Sequence, residues 1–163
     1  MRKPIQDPVP TYLPPFSRLG TCVRKDETAG TVTMPTDLFK LLLRLAAGNG
    51  VLDTAWYAGA YRDVAEAIRE NSVPDALTHF CESGYFEGRR PRVFTVNEAW
   101  YSRRYPDVAA AVLAGKTASA HTHFNSTGYF EGRVPGPEAV DTVEAWNRAI
   151  ERHLPPEQDS DAA

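Results

Sequence analysis

The sequence predicts a mainly α fold: two tandem three-helix repeats with an N-terminal capping helix, a small β-hairpin and flexible termini. Three observations carry that prediction. Residues 51–91 align on residues 95–135 without a gap at an offset of 44, and nineteen of the 41 aligned positions are identical. Apolar residues inside each copy recur at i, i+3, i+4 and i+7, the spacing of one helix face. Prolines and polar residues collect at the two ends of the chain.

Taken in order, residues 1–18 hold five prolines, which remove backbone donors and predict an extended arm that Tyr12, Leu13 and Phe16 would pin to the domain. Residues 19–50 follow as a hairpin and a capping helix. Thr21-Cys-Val-Arg24 and Thr31-Val-Thr33 flank a Lys-Asp-Glu-Thr-Ala-Gly turn. Thr36 is the expected cap of a helix over 37–47, in which Leu38, Leu41, Leu42 and Leu45 form one face. Phe39, Leu43 and Ala46 make that helix apolar almost all round, so it predicts a cover: the repeats, a partner or a second copy.

Each repeat, 51–91 and 95–135, reads as three short helices. Asp53 and Asn97 are the expected N-caps of a segment carrying Trp-Tyr. Tyr61, Val64, Ala65 and Ile68, repeated as Tyr105, Val108, Ala109 and Val112, predict the second helix and its buried face. Pro106 suits its first turn and Gly115 its stop. The third helix is expected from about Pro74 or Ala118 to Gly84 or Gly128, each glycine taken as a left-handed terminal residue. Glu144-Ala145-Trp146 echoes Glu98-Ala99-Trp100 and predicts a C-terminal capping helix over 138–153, followed by an acidic, disordered tail at 154–163. Two repeats are few for a continuous core, which is why both caps are needed.

Composition removes several functional classes. The net charge of −3 offers no cationic field for nucleic acid or anionic lipid. The chain start runs into prolines where a leader would be apolar, and no window approaches the ~20 apolar residues of a spanning helix, so a soluble, cytoplasmic protein without membrane insertion is expected. Cys22 and Cys81 form no pair motif; free thiols are the first reading, with a disulfide between them left open. His121-Thr-His123 is an i, i+2 pair that splays to different helix faces, so neither a metal nor another cofactor is predicted. Asn125-Ser-Thr127 fits a glycosylation sequon that would stay unmodified without secretion. No nucleophile elbow, phosphate loop or dinucleotide fingerprint occurs, and no catalytic residue is assigned.

The candidate binding residues are those fixed in both copies. They are Trp56, Tyr57, His79, Tyr85, Glu87 and Arg89, and their counterparts Trp100, Tyr101, His123, Tyr129, Glu131 and Arg133. Each has a structural alternative. The histidines would pack between helices and bond a carbonyl or Asp63/Asp107, Glu and Arg would pair across the intervening glycine, and the aromatics would fill the core. Leu38, Leu41, Leu42 and Leu45 are the candidate interface.

The combination Trp-Tyr-x3-Tyr-Pro-Asp-Val-Ala at 100–109, His123-Phe124 and Gly128-Tyr-Phe-Glu-Gly-Arg-x-Pro135 resembles the short tandem repeats that accompany bacterial glycosyltransferases and other surface-polysaccharide proteins. The resemblance covers residues 51–135 and implies a bacterial origin and a link to exopolysaccharide or envelope assembly; it brings no catalytic residue with it. Asp159-Ser-Asp161, the one Asp-x-Asp, follows no predicted strand and is not read as a nucleotide-sugar metal site. The resulting expectation is a non-catalytic protein-interaction or scaffolding module, using the proline arm, the inter-repeat groove or the leucine helix. The alternative is a glycan-binding module with twin aromatic sites, and an uncharacterised enzyme stands third.

Overall fold

The computed structural model describes Leu19 and residues 22–152. The proline arm at 1–18 and the acidic tail lie outside the described residues, apart from its neighbouring helix. The fold is mainly helical with one two-stranded antiparallel sheet, and the chain divides after Arg92 into two compact units.

The first unit opens with the hairpin, β1 (Arg24–Asp26) and β2 (Thr31–Thr33), paired in the register Arg24 to Thr33. Its turn is held by the Asp26 carboxylate, which accepts from the backbone N–H groups of Thr28 and Ala29, both at 2.9 Å. Helix α1 (Thr36–Ala46) follows and widens into a π-type turn at Ala47–Val51. Thr36 is its first helical residue and not its cap: Pro35 occupies the cap position and offers no side-chain acceptor. Leu43 packs on the core of this unit with Ala47 beside it. Lys40 pairs with Glu82, and Arg44 donates to Thr78 Oγ1 at 2.9 Å.

The first repeat then supplies α2 (Thr54–Ala60), α3 (Arg62–Arg69) and α4 (Ala76–His79), the last continuing into a π-type turn at Phe80–Gly84. The second unit repeats the series as α5 (Glu98–Arg104), α6 (Pro106–Leu113) and α7 (Ala120–His123) with its own π-type turn at Phe124–Gly128. Every one of these boundaries falls 44 residues after its counterpart. A 3-10 turn at Pro137–Ala139 leads into α8 (Val140–Glu151), so the expected C-terminal helix starts two residues later than 138.

Local chemistry explains the shared boundaries. Asp53 and Asn97 accept from the N–H groups of Trp56 and Trp100 at 2.9 and 3.0 Å, as N-caps do. Arg62 starts α3 where Pro106 starts α6, because the preceding Tyr61 and Tyr105 both leave the helical conformation (ψ 99° and 83°) and interrupt the helix there. The third helices begin at Ala76 and Ala120, not at Pro74 and Ala118, since Asp75 and Ser119 cap them through the N–H groups of Thr78 and Thr122. Asn71 (φ 56°) and Gly115 (φ 68°) take the left-handed conformation after α3 and α6, a position where Asn and Gly are the residues that tolerate it.

Each unit has its own core. In the first, Tyr57 and Val64 are fully buried with Leu52, Ala76, Phe80 and Cys81 around them. In the second, Tyr101 and Val108 are fully buried beside Ala120 and Phe124. Ala65, expected on the buried face of α3, is exposed. Its helix meets the core through a narrower stripe, Tyr61, Val64 and Ile68. Each unit also closes on itself: the Asp53 N–H donates to the Pro91 carbonyl at 3.1 Å, and that of Asn97 to the Pro135 carbonyl at 3.0 Å.

Candidate functional site

The repeated residues assemble in both units into the same two arrangements. The first is a buried tyrosine under a histidine. The Tyr57 hydroxyl shares a hydrogen bond of 3.2 Å with Nδ1 of His79, and Tyr101 repeats it with His123 at 3.3 Å, the proton's side being set by the imidazole tautomer. These histidines therefore meet a phenol instead of the carbonyl or the Asp63 and Asp107 carboxylates expected from sequence. Ring contacts complete the packing: Tyr57 lies tilted 4.8 Å from Tyr61 and edge-on 5.5 Å from Phe80, and Tyr101 lies tilted 4.7 Å from Tyr105 and edge-on 5.7 Å from Phe124. Burial disfavours the phenolate and pushes both Tyr57 and Tyr101 up to about 12.

The π-type turn brings Gly84 under this hydroxyl. A Cβ at Gly84 would fall well inside van der Waals contact of the Tyr57 hydroxyl and 3.2 Å from its Cζ; at Gly128 it would meet the Tyr101 hydroxyl in the same way. Neither glycine is left-handed, contrary to the sequence expectation. The positive φ belongs to Gly88 (71°) and Gly132 (67°), one turn later. Gly84 and Gly128 are there because a phenol tip occupies the space of a side chain.

The second arrangement is an ion cluster on the face of a tyrosine ring. Arg89 donates through both Nη atoms to the Asp63 carboxylate at 2.9 and 2.7 Å, and through Nε to Glu87 at 2.6 Å. Its guanidinium lies 5.0 Å from the Tyr61 ring centre. Arg133 forms the equivalent cluster, donating through Nη1 alone to both Asp107 oxygens at 3.1 and 2.8 Å and through Nε to Glu131 at 2.5 Å, with its guanidinium 4.9 Å from the Tyr105 ring centre. The guanidinium hydrogen bond holds Asp63 well below the usual carboxylate range, at about 2, and lowers Asp107 too. Gly88 and Gly132 let the chain reverse so that Glu and Arg meet. Tyr61 and Tyr105 then fasten the end of each repeat by accepting from the Arg90 and Val134 N–H groups at 3.0 and 2.8 Å.

The remaining candidates spread over the surface. Trp56 and Trp100 are half-buried, and a guanidinium covers each ring, Arg90 at 4.9 Å and Arg104 at 5.3 Å. Tyr57 and Tyr101, with no exposed area, have no face to offer a ligand. Tyr85 is exposed and Tyr129 is half-buried, the latter stacked on Phe94 at 4.8 Å. The exposed rings common to both copies are their neighbours Phe86 (53% exposed) and Phe130 (57%). Leu41 and Leu42 on α1 are exposed, while Leu38 and Leu45 are half-buried. Trp146 is 65% exposed and borders a shallow groove along α8 with Asp141, Thr142, Ala145 and Ala149.

Asn125, read from sequence only as part of a sequon, and Phe94, given no role there, are joined in the second unit. The buried Asn125 side chain accepts from the Phe94 N–H at 2.9 Å and donates to the Phe94 carbonyl at 3.0 Å. It replaces Cys81 of the first copy, and that swap of a thiol for an amide was the available signal. Cys22 and Cys81 are both free thiols, and burial raises that of Cys81. Among the described residues, no group of three His, Cys, Asp or Glu side chains converges as a metal would require, and no helix is long and apolar enough to cross a membrane.

No family model matches the chain, and neither the curated proteins nor the solved structures yield a match.

Proposed function

We propose that the chain is a non-catalytic protein-interaction module whose partner is engaged by the aromatic turn that closes each repeat. One observation carries the reading: the polar candidate residues repeated in both copies are consumed by each other, whereas Phe86 and Phe130 keep more than half of their surface exposed at equivalent positions, Phe86 with one side against Phe39 and Lys40. The Tyr–His pairs have the geometry of an acid–base couple but the opposite electrostatics. Burial makes the phenol a weaker acid, where a catalytic tyrosine needs its ionisation eased. Exposed aromatic rings are the residues that anchor protein interfaces. The resemblance of the repeats to those beside bacterial glycosyltransferases directs the proposal to a partner in exopolysaccharide or envelope assembly. The same exposed rings suit stacking on a saccharide, which makes glycan binding the second reading.

The test places a photo-crosslinking residue at position 130 and, as a control, at the exposed Arg69 in cells making the chain. A discrete protein adduct at 130, absent at 69 and lost with Phe86→Ala in the same chain, supports the reading. Titration calorimetry with neutral and acidic oligosaccharides supplies the other arm. Saturable heat that Phe130→Ala abolishes, with no protein adduct, replaces the proposal by the glycan reading.

A further inference from the structure

We propose that α1 is the contact between two copies of this chain, packed antiparallel about a two-fold axis. The inference stands apart from the aromatic turns, because it rests on the opposite side of α1 from the one facing Phe86. At about 100° per residue, Lys40, Leu43 and Ala47 fall on one side of the helix. That side is spent within the unit: Leu43 on the core, Lys40 on Glu82, and Arg44 at its edge on Thr78. Leu38, Leu41, Leu42 and Leu45 form a stripe centred diametrically opposite. None of the residues of α1 is buried, and Leu41 and Leu42 keep 52% and 38% of their surface exposed. Between its two apolar flanks the helix gives water only the narrow edge of Asp37 and Arg44, so its outer side calls for a second apolar surface.

Charge selects the occupant. Asp37 lies in the first turn of α1 and Arg44 in the last, seven residues and about two turns apart, on the same edge of the leucine stripe. Both side chains reach solvent: Arg44, whose Nη2 lies 3.9 Å from the Asp75 carboxylate of its own unit, retains 43% exposure. When two such helices pair antiparallel, Leu38 faces Leu45 of the other copy, Leu41 faces Leu42, and Asp37 of each lies beside Arg44 of the other. The helix dipoles also oppose head to tail. The surface is thus complementary to itself, which is what an isologous contact requires. A helix of eleven residues spans only about 16 Å. The contact therefore belongs to the small interface class, with dissociation in the micromolar range.

Sedimentation velocity of the full chain across a concentration series tests this. The expected result is a shift from the 18.0 kDa monomer toward twice that mass at about 100 µM, as a small interface implies. Leu42→Glu is expected to abolish the shift. Asp37→Arg and Arg44→Asp each place like charges across the axis and are expected to weaken association about tenfold or more. An equimolar mixture of those two variants restores both ion pairs and is expected to associate like wild type. Circular dichroism melts of each variant confirm folding, and the mixture reports on the contact even where one variant loses some stability. A wild type that stays monomeric, a dimer that survives Leu42→Glu, or a mixture no better than its components overturns the proposal. None of these outcomes alters the crosslinking result at position 130, which lies in the other unit.

Discussion

Gly84→Ala exposes the logic of the repeat most directly. In an ordinary helical turn, alanine for glycine is a gain of about 0.5–1 kcal/mol, because the unfolded chain loses freedom. At Gly84 the new Cβ falls inside contact of the Tyr57 hydroxyl and 3.2 Å from Cζ, and Tyr57 has no exposed side to retreat toward. Overpacking of this kind costs about 1–3 kcal/mol. Pushing the ring away also breaks the hydrogen bond to His79, a further loss of about 0.5–1.5 kcal/mol. The net expectation is a loss of about 2 kcal/mol, or roughly 4–8 °C in Tm for a chain of this size. Tyr57→Phe removes the colliding oxygen. It is destabilising alone by about 1 kcal/mol through the lost hydrogen bond, and it is expected to stabilise the Gly84→Ala background, so the sign of its effect reverses. Urea denaturation of the four proteins of that cycle measures it. Gly59→Ala is the control, since no atom lies within 4 Å of a Cβ built there; it is expected to be neutral or stabilising. A Gly84→Ala protein as stable as wild type, or a Tyr57→Phe effect of the same sign in both backgrounds, refutes the close-approach argument.

The Asp63–Arg89 pair makes stability depend on pH in the acid range. A carboxyl held at about 2 when folded and near 3.8 when unfolded contributes fully above about pH 4, and the contribution disappears as pH falls through about 2. Asp63 is largely exposed, so the effect is discounted to about 0.5–1 kcal/mol; Asp63→Asn is expected to flatten that part of the acid limb in urea midpoints and to leave the alkaline limb unchanged. The buried tyrosines act at the other end. With Tyr57 and Tyr101 raised to about 12, their contribution is complete below about pH 10 and lost as pH rises through 12. The double variant Tyr57→Phe and Tyr101→Phe should therefore lose less stability than wild type between neutral pH and about pH 11, with late phenolate absorbance missing from its titration. Trp100→Ala should cost about 2–3 kcal/mol, below the range for a fully buried ring because Trp100 is only half-buried. Trp146→Ala, at a ring 65% exposed, should stay within about 0.5 kcal/mol of wild type; equal losses at the two positions would contradict the assigned packing.

Local physics made much of this protein legible from residues alone. The repeat and its offset follow from identity at paired positions, and helix starts at Asp53 and Asn97 follow from side chains that can reach their own backbone. The Glu87–Arg89 and Glu131–Arg133 pairs follow from a glycine between opposite charges. Each depends on groups a few residues apart, so the spacing itself carries the information. What the tertiary structure decided involves partners 22 to 27 residues apart: His79 on Tyr57, Arg89 on Asp63, and the exclusion of any side chain at Gly84 by Tyr57. Glycine has two physical uses, positive φ and close approach, and a sequence does not distinguish them. Only the placement of the Tyr57 hydroxyl showed that Gly84 serves the second and Gly88 the first. In the same way Trp-Tyr marks a core position without saying which ring fills it. The fold put the tyrosine inside, because its phenol finds a histidine there, and left the larger indole at the rim under an arginine.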